Sequence, residues 1–492
     1  MEIKKFRNHF SYVIEQLGGS FVICLFLLWQ LVPDLIGDTE NDIVKSAKGM
    51  GILPVYTAVV LIFLLIFGLI VAFYVRRWYK TWITISGETL TVERNTIRSV
   101  KNTVGIKNIS NVNLNQNLFE MLIGTCNLKL NTNSLSTADS TDIKLILKKK
   151  QGEELKQFLN RRIEELNTGI VIENEQEEVS NDKYDIEVTI KDIIKNGLLS
   201  LYGGTILMVL GSFLVLVADI VSDLGEAMKL GGIIAFILLI LSGVFTLVKN
   251  ILKIYDFKVR RENNKIHIKY GLYNRVDFAI PVNKINAIVI HQTFIARIFR
   301  KYSAEIINVG INDDDKTSAY FTFYCSKKQL KEYMDKLLPE FSEGLTESIN
   351  KQPKRTLVRH GVAYFIQLAV LALFSGSILY YGKLSKVYHI SVIAVSILLV
   401  VILLFTKILD YKTCGIFIGK DLIGVKDGIL GTQYAMIKYK NIQYVTLKQN
   451  ILEKKLGIVR GGLHILASTT HGSHLLPYID ENYGNLIYKK FI

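Results

Sequence analysis

The segment Ile109-Ser-Asn-Val-Asn-Leu-Asn-Gln-Asn-Leu-Phe-Glu-Met-Leu-Ile-Gly124 is written three times in this chain. A shift of 176 residues gives Ile285-Asn-Ala-Ile-Val-Ile-His-Gln-Thr-Phe-Ile-Ala-Arg-Ile-Phe-Arg300, and a further 157 gives Ile442-Gln-Tyr-Val-Thr-Leu-Lys-Gln-Asn-Ile-Leu-Glu-Lys-Lys-Leu-Gly457. Gln116, Gln292 and Gln449 coincide without a gap. Self-similarity at a fixed offset marks each copy as one structural unit. These offsets are far longer than a solenoid repeat, so the copies belong to three whole modules.

Working outward from the motif, each copy is preceded by a pair of long apolar runs. The six runs are Leu17 to Ile36, Ile52 to Tyr74, Gly197 to Ala218, Leu230 to Val248, Gly361 to Tyr381 and Val387 to Phe405. Each is long enough to cross a bilayer core, which needs about 20 helical residues. The connectors are short, with Asp38, Glu40 and Asp42 in the first, Asp219, Asp223 and Glu226 in the second, and Lys383 and Lys386 in the third. The flanks are basic: Lys4, Lys5 and Arg7; Arg76, Arg77 and Lys80; Lys249, Lys253, Lys258, Arg260 and Arg261; Lys354, Arg355, Arg359, Lys407 and Lys412. By the positive-inside rule the basic flanks lie in the cytosol, which puts both termini and the three polar segments there. The first run is followed by Pro33, Asp34 and an acidic loop without a small-x-small site, so it reads as a retained anchor rather than a cleaved signal.

Between the motif and the runs lie strand patterns. Trp82-Ile-Thr-Ile and Thr89-Leu-Thr-Val alternate around Ser86-Gly87, Lys265-Ile-His-Ile-Lys-Tyr follows Asn263-Asn264, and Gly415-Ile-Phe-Ile turns at Gly419 into Leu422-Ile-Gly-Val. Such alternation predicts half-buried strands. The offsets align Asn95, Gly271 and Gly428, residue types that tolerate a left-handed turn. The first two modules end in an amphipathic helix, with Leu155, Phe158, Leu159, Ile163 and Leu166 on one face of Glu153 to Asn167, and Leu330, Tyr333, Met334, Leu337, Leu338 and Phe341 after the N-cap Ser326. The third offers only Tyr483, Ile487 and Phe491, so its closing helix is short or supplied in another way.

The composition agrees with membrane segments mixed with folded domains: 50% of the 492 residues are apolar, only 6 are proline, and the net charge is +15. Cys24, Cys126, Cys325 and Cys414 share no metal-type or redox-type spacing, which argues against a disulfide framework. Each soluble module carries a net charge of +6. Tethered beside an anionic leaflet, such modules meet lipid, with each nearby Lys or Arg worth about 1 kcal/mol. The candidate membrane-surface residues are Arg76, Arg77, Lys80, Arg260, Arg261, Lys407 and Lys412. Nucleic acid is excluded as a partner because no recognition motif accompanies the charge. The acidic run Glu173 to Glu187 is a solvated linker or, alternatively, a strap over a basic module face.

Paired transmembrane helices followed by Ile-x-x-Val-x-Leu-x-Gln-Asn-x-Leu-Glu-x-x-Leu-Gly, as at Ile442 to Gly457, resemble the bacterial pleckstrin-homology-like (PH-like) membrane family, in particular its YdbT-like members with three repeats. Thr293, Ala296 and Arg300 depart from the pattern in the second module. The expected fold is therefore membrane α plus β, with six transmembrane helices in three hairpins. Each hairpin is followed by a cytosolic PH-like β-barrel or sandwich, and the first two barrels are closed by a C-terminal amphipathic helix. The expected boundaries are hairpins at 1–75, 196–252 and 360–409, PH-like domains at 76–167, 253–341 and 410–492, and linkers at 168–195 and 342–359. The resemblance implies a scaffold that works alongside a smaller PH-like membrane protein, and a part in envelope stress or in resistance to membrane-active peptides.

For the motif residues two readings stand. Gln116, Asn117, Gln292, Thr293, Gln449 and Asn450 satisfy backbone groups where a strand ends, as such side chains often do, or they sit at a barrel mouth and bind a lipid head group or a peptide. Enzyme signatures and a cofactor-binding motif are absent. His464, His471 and His474 lack further ligands nearby, and Asp313 to Asp315 lacks the alternating ligands of a calcium loop, so no metal site is expected. The rival function is a transporter or lipid-translocation protein, which would place polar residues on one helix face. Gln30, Thr205, Ser212, Gln367 and Ser375 are scattered instead. Enzymatic modification of lipid is a further rival.

Overall fold

The computed structural model describes residues 4–36, 52–96, 98–132, 143–168, 184–200, 208–209, 211–213, 226–272, 274–308, 319–346, 348–382, 386–467 and 472–491. It divides into two compact units, one formed by residues 1–133 and 142–178, the other by 134–141 and 179–492. Most of the run Gly197 to Ala218, the acidic residues from Glu173 to Lys183, Asp313 to Asp315 and His471 lie outside the described residues.

The first unit opens with a strand of three residues, β1 (Lys4–Phe6), followed by helices α1 (Ser11–Ile36) and α2 (Ile52–Tyr79). The helices lie side by side, with the Phe21 and Phe67 rings edge to face at 5.6 Å. Then come β2 (Thr81–Ser86), β3 (Thr89–Asn95) and β4 (Ser99–Gly105), which with β1 form an antiparallel sheet in the order β1-β2-β3-β4. The remaining elements are β5 (Ile109–Asn117), the short helix α3 (Leu118–Ile123), β6 (Thr125–Thr132), β7 (Ile143–Lys148) and the closing helix α4 (Lys149–Thr168). The alternation seen in the sequence decides which faces meet: Ile83, Ile85 and Leu90 point inward to Leu114, Leu128, Leu130 and Leu145. Leu155 and Leu159 of α4 plug the same core.

The second unit repeats this order twice. The first round is β8 (Ile186–Glu187), α5 (Ile190–Leu199), α6 (Glu226–Ile254), β9 (Lys258–Glu262), β10 (Lys265–Tyr270), β11 (Asn274–Pro281), β12 (Ala287–Gln292), α7 (Phe294–Ile298), β13 (Lys301–Ile307), β14 (Tyr320–Ser326) and α8 (Lys327–Leu337). After a short helix α9 (Glu343–Thr346), the second round is β15 (Asn350–Lys351), α10 (Thr356–Tyr381), α11 (Lys386–Thr413), β16 (Gly415–Ile418), β17 (Leu422–Asp427), β18 (Thr432–Lys438), β19 (Ile442–Lys448), α12 (Ile451–Leu456), β20 (Ile458–Ile465), β21 (Ser473–Asp480) and α13 (Glu481–Phe491).

Four helices are long and apolar enough to cross a membrane among the described residues, at Leu61–Tyr79, Phe236–Ile254, Thr356–Tyr381 and His389–Thr413. The last two pair along their length, with Tyr364 Oη donating to the Val400 carbonyl at 3.4 Å. At the base of the α5 and α6 pair, Asn250 Nδ2 donates to Ser200 Oγ at 3.0 Å.

Several expectations change. The helical segment of each module is inserted into a sheet rather than standing before it, because a strand that precedes it pairs with the strand that follows: Lys4 with Ile85, Ile186 with Val259 and Asn350 with Ile416. Strands of two or three residues carry no periodicity, so the segments read as linkers at 168–195 and 342–359 concealed β8 and β15. Asp185, at the end of the acidic run, is tied down by Lys336 at 2.7 Å. The third module does close with a helix, α13, whose Ile487 is fully buried. Gly271 and Gly428 are left-handed, at φ +104° and +117°, and a Cβ on either would meet a backbone oxygen at 2.0 and 2.2 Å. Asn95 is absent from the left-handed residues, and its turn instead uses a hydrogen bond from Ser99 Oγ to Asn95 Oδ1 at 2.7 Å.

The largest departure concerns the module boundary. One sheet of seven strands runs β14-β13-β12-β18-β17-β16-β15, so the last strands of the second module continue into the first strands of the third. The seam is β12 against β18, antiparallel, from Ala287 opposite Ile437 to Gln292 opposite Thr432. Successive residues of a strand face opposite sides of the sheet. Ile288, Ile290, Tyr434 and Met436 accordingly enter one core, while Ala287, Val289, Ala435 and Ile437 enter the other.

Candidate functional site

Each motif strand runs into a short helix and each short helix into the next strand, so the backbone must reverse within a few residues. The glutamines close that reversal. Gln116 Nε2 donates to the Thr125 carbonyl at 2.7 Å, Gln292 to the Lys301 carbonyl at 3.2 Å and Gln449 to the Ile458 carbonyl at 2.9 Å. Each acceptor is the first residue of the strand after the helix. Gln116 and Gln292 are buried, whereas Gln449 is exposed.

The next residue caps the helix. Asn117 Oδ1 accepts from the Glu120 N–H at 2.8 Å while the Asn117 N–H donates back to Glu120 at 2.7 Å, and Asn450 with Glu453 repeats this at 2.8 and 2.9 Å. This reciprocal box satisfies two backbone donors that a helix start leaves over. In the second module Thr293 Oγ1 accepts from the Ala296 N–H at 3.2 Å, and without an acid at 296 the return bond is missing. Gly124 and Gly457 end their helices at φ 76° and 62°, which suits glycine. Arg300, at the matching position, holds φ 51° and pays the steric cost of a Cβ there.

The acid of the box also reaches the start of the hairpin. Glu453 is 1% exposed, and it takes Arg359 of α10 at 3.2 Å and the Tyr478 hydroxyl at 3.2 Å, with Arg460 at 3.7 Å. Burial works against its charge, but the Asn450 N–H and Arg359 outweigh burial and hold its carboxyl below the ordinary range. Arg355 Nη1 adds a bond to the Leu456 carbonyl at 3.3 Å. Glu120, also 1% exposed, meets a second carboxyl instead, that of Glu15 on α1. Burial is the main reason its pKa is pushed up to about 7, and the charge of Glu15 adds to it. Glu15 is raised too, again chiefly by burial. In the second module Thr293 Oγ1 donates to the Leu199 carbonyl at the end of α5.

Each short helix thus meets a helix that precedes the strands of its own module: α1 at Glu15, α5 at the Leu199 carbonyl and α10 at Arg359. Glu15 carried no signal in the sequence. Arg359 could have been found as a basic residue within one turn of the start of α10, on the side of the motif acid.

On their outer sides the short helices present apolar residues to solvent. Leu122 is 87% exposed, Ile298 and Phe299 are both 63%, and Ile451 is 82%. Arg297 and Arg300 flank the second group and Lys454 and Lys455 the third. Of the candidate surface cations, Arg76 and Arg77 sit in the last turn of α2 and Lys412 in that of α11, while Lys80 and Lys412 are exposed. Lys407 lies five residues before Lys412 on α11. Arg260 and Arg261 are on β9 and are engaged within the module, by Glu262 at 2.9 Å and by Glu340 at 2.9 Å. Among the described residues no three His, Cys, Asp or Glu side chains gather as a metal site. His464 stacks on Tyr444 at 4.1 Å, and His474 lies on the neighbouring strand, opposite Leu463.

Comparison with known proteins gives the same threefold division. The model of a family described as Bacterial PH domain matches residues 40–163, 206–334 and 364–488. Among curated proteins the chain is similar to UPF0699 transmembrane protein YdbT of Bacillus subtilis (strain 168), at 24% identity over 248 residues, covering 49% of this chain and 46% of that protein. The chain thus spans about half the length of the curated relative it matches. No solved structure matches it.

Proposed function

This chain belongs to the bacterial PH domain family, and from that premise we propose that it is a multi-pass membrane scaffold whose PH-like modules rest on the anionic inner leaflet and hold partner proteins there. Six helices form three hairpins, and the termini and modules lie in the cytosol. The observation that carries this reading is the position of the short helices. Each is fastened to the start of its own hairpin, where the chain enters the bilayer, and exposes apolar side chains, Leu122, Ile298, Phe299 and Ile451. Apolar tips beside Arg297, Arg300, Lys454 and Lys455 suit the boundary between head groups and acyl chains, where apolar burial and attraction to anionic lipid act together. A smaller PH-like membrane protein is the expected partner, and resistance to membrane-active peptides the expected physiological setting.

The test is a cysteine at Ile451, labelled with an environment-sensitive fluorophore in vesicles that contain spin-labelled lipid. Quenching by shallow spin labels, stronger with anionic than with zwitterionic lipid, is expected. Quenching only by water-soluble agents would end the lipid reading. Gentle purification of the full chain, followed by mass spectrometry, tests the partner.

A further inference from the structure

Strand β19 is the third module's counterpart of β12, and β4 is the first module's counterpart of β18. The repeat offsets place Tyr444 to Gln449 on Ala287 to Gln292, and Ser99 to Gly105 on Thr432 to Lys438, residue for residue. Within the second unit β12 and β18 are paired. Among the described residues β19 and β4 have no such neighbour, each being the last strand of its sheet. Burial follows the same division. Every residue of β12 except His291 is buried, whereas none of Gln443 to Lys448 is, and Ser99 to Gly105 are likewise all exposed or half-buried. Gln292 is covered by Thr432, whose hydroxyl donates to Gln292 Oε1 at 3.4 Å, while Gln449 is open to water.

Open strand edges of seven residues are a liability that proteins usually blunt with proline, bulges or inward charges. Neither β4 nor β19 contains a proline, the bulge in β19 falls between Ile442 and Tyr444 at the end of the strand, and the two edges are the two halves of a seam that the second unit makes within itself. We propose that β19 of one chain pairs with β4 of a second copy in the same membrane, in the register of β12 on β18. Tyr444 then lies opposite Val104, Val445 opposite Thr103, Thr446 opposite Asn102, Leu447 opposite Lys101, and Lys448 opposite Val100. Lys448 and Lys101 are neighbours in sequence register but project from opposite faces, so they do not repel. Lys101 keeps its own ion pair with Glu93 at 2.8 Å.

The side chains fit a seam that opens and closes. Where β12 and β18 place Ile288, Val289, Ile290, Ala435 and Met436 in permanent cores, β19 and β4 place Val445, Thr446, Leu447, Asn102 and Thr103. These survive exposure to water when copies separate. Tethering in one bilayer raises the effective concentration, so a modest backbone ladder suffices. The contact is heterologous, since each copy offers a different edge at each end, and it propagates into a ring or a row. It extends the scaffold reading, yet its readout is independent of lipid contact.

Thr446→Cys and Asn102→Cys, carried on separately tagged full-length chains in one membrane, test it. Directly opposed residues of antiparallel strands have Cα atoms about 4.5–5.5 Å apart, within disulfide reach. Mild oxidation is expected to give a mixed dimer from the two single variants and a ladder of higher species from a chain carrying both. Thr446→Cys with Arg98→Cys, four residues out of register, is the control and should cross-link at least tenfold less. The single variants alone report any contribution of the native cysteines. Absence of the mixed dimer, equal yield from the shifted pair, or trapping of Thr446→Cys by a different protein would each overturn the proposal.

Discussion

Glu453 accepts a hydrogen bond from Arg359 Nε at 3.2 Å, whereas Glu120, at the same place in the first repeat, faces the carboxyl of Glu15. The same motif acid therefore meets a cation in one module and a second carboxyl in another. Protonation should act on the two junctions with opposite sign.

For the first module, folded Glu120 holds its proton to about pH 7 while the ordinary carboxyl releases it near 4.5. A raised pKa contributes stability below the lower value and loses it as pH rises through the higher one. Between pH 5 and 8 the junction of α3 with α1 is expected to loosen, read as faster amide exchange at Asn117 to Gly124. Glu120→Gln should flatten that dependence and, above pH 7, stabilise the unit by roughly 1–3 kcal/mol. An unchanged pH profile would refute a raised pKa at Glu120.

For the third module, the depressed pKa of Glu453 gives stability that is present above about pH 4.5 and lost as pH falls through the folded value. Arg359→Met leaves a buried carboxylate short of its closest cation, with Arg460 at 3.7 Å as partial relief. A loss of about 1–3 kcal/mol is expected in chemical unfolding. Adding Glu453→Gln should recover most of it, and lack of recovery would mean that Arg359 acts through packing.

The three glutamines should rank by burial. Gln116→Ala leaves the buried Thr125 carbonyl without its donor and Gln292→Ala the half-buried Lys301 carbonyl, both donors being buried amides, at about 1–2 kcal/mol each. Gln449→Ala should cost under about 1 kcal/mol, because water can replace the amide at an exposed site. Differential scanning of the purified variants gives the order, and a larger loss at Gln449 would contradict it.

Arg300 occupies a left-handed backbone at φ 51° where its two counterparts are glycine. Arg300→Gly should stabilise the second module by roughly 0.5–1 kcal/mol through relief of that strain. The same change removes a cation beside Ile298 and Phe299, so lipid contact should weaken even as the thermal midpoint rises.

Much of this was legible in the sequence for a definite physical reason. The offsets of 176 and 157 residues tie Gln116, Gln292 and Gln449 together, and the alternation around Ile83 and Ile85 or Ile266 and Ile268 gives the strands and their buried faces. The N-cap at Ser326 followed from its position before an amphipathic run, and it forms a full box with Gln329. What stayed hidden was non-local. β8 and β15 are two residues each and exist only because β9 and β16 lie beside them. The partnership of Glu15 with Glu120 spans more than a hundred residues and two elements without any spacing rule. The continuation of one sheet from β12 into β18 leaves no mark on periodicity, since both strands alternate as any half-buried strand would.

That continuous sheet has a consequence for how the chain is made. Ala287 finds its partner at Ile437, about 150 residues later, after the two long helices α10 and α11 have been synthesised. At roughly 5–20 residues per second the wait is on the order of ten to thirty seconds. Through that interval β12 has β13 on one side only, so the nascent second repeat shows the translation machinery and its chaperones one open strand edge, and its sheet is completed only after α10 and α11 have been made.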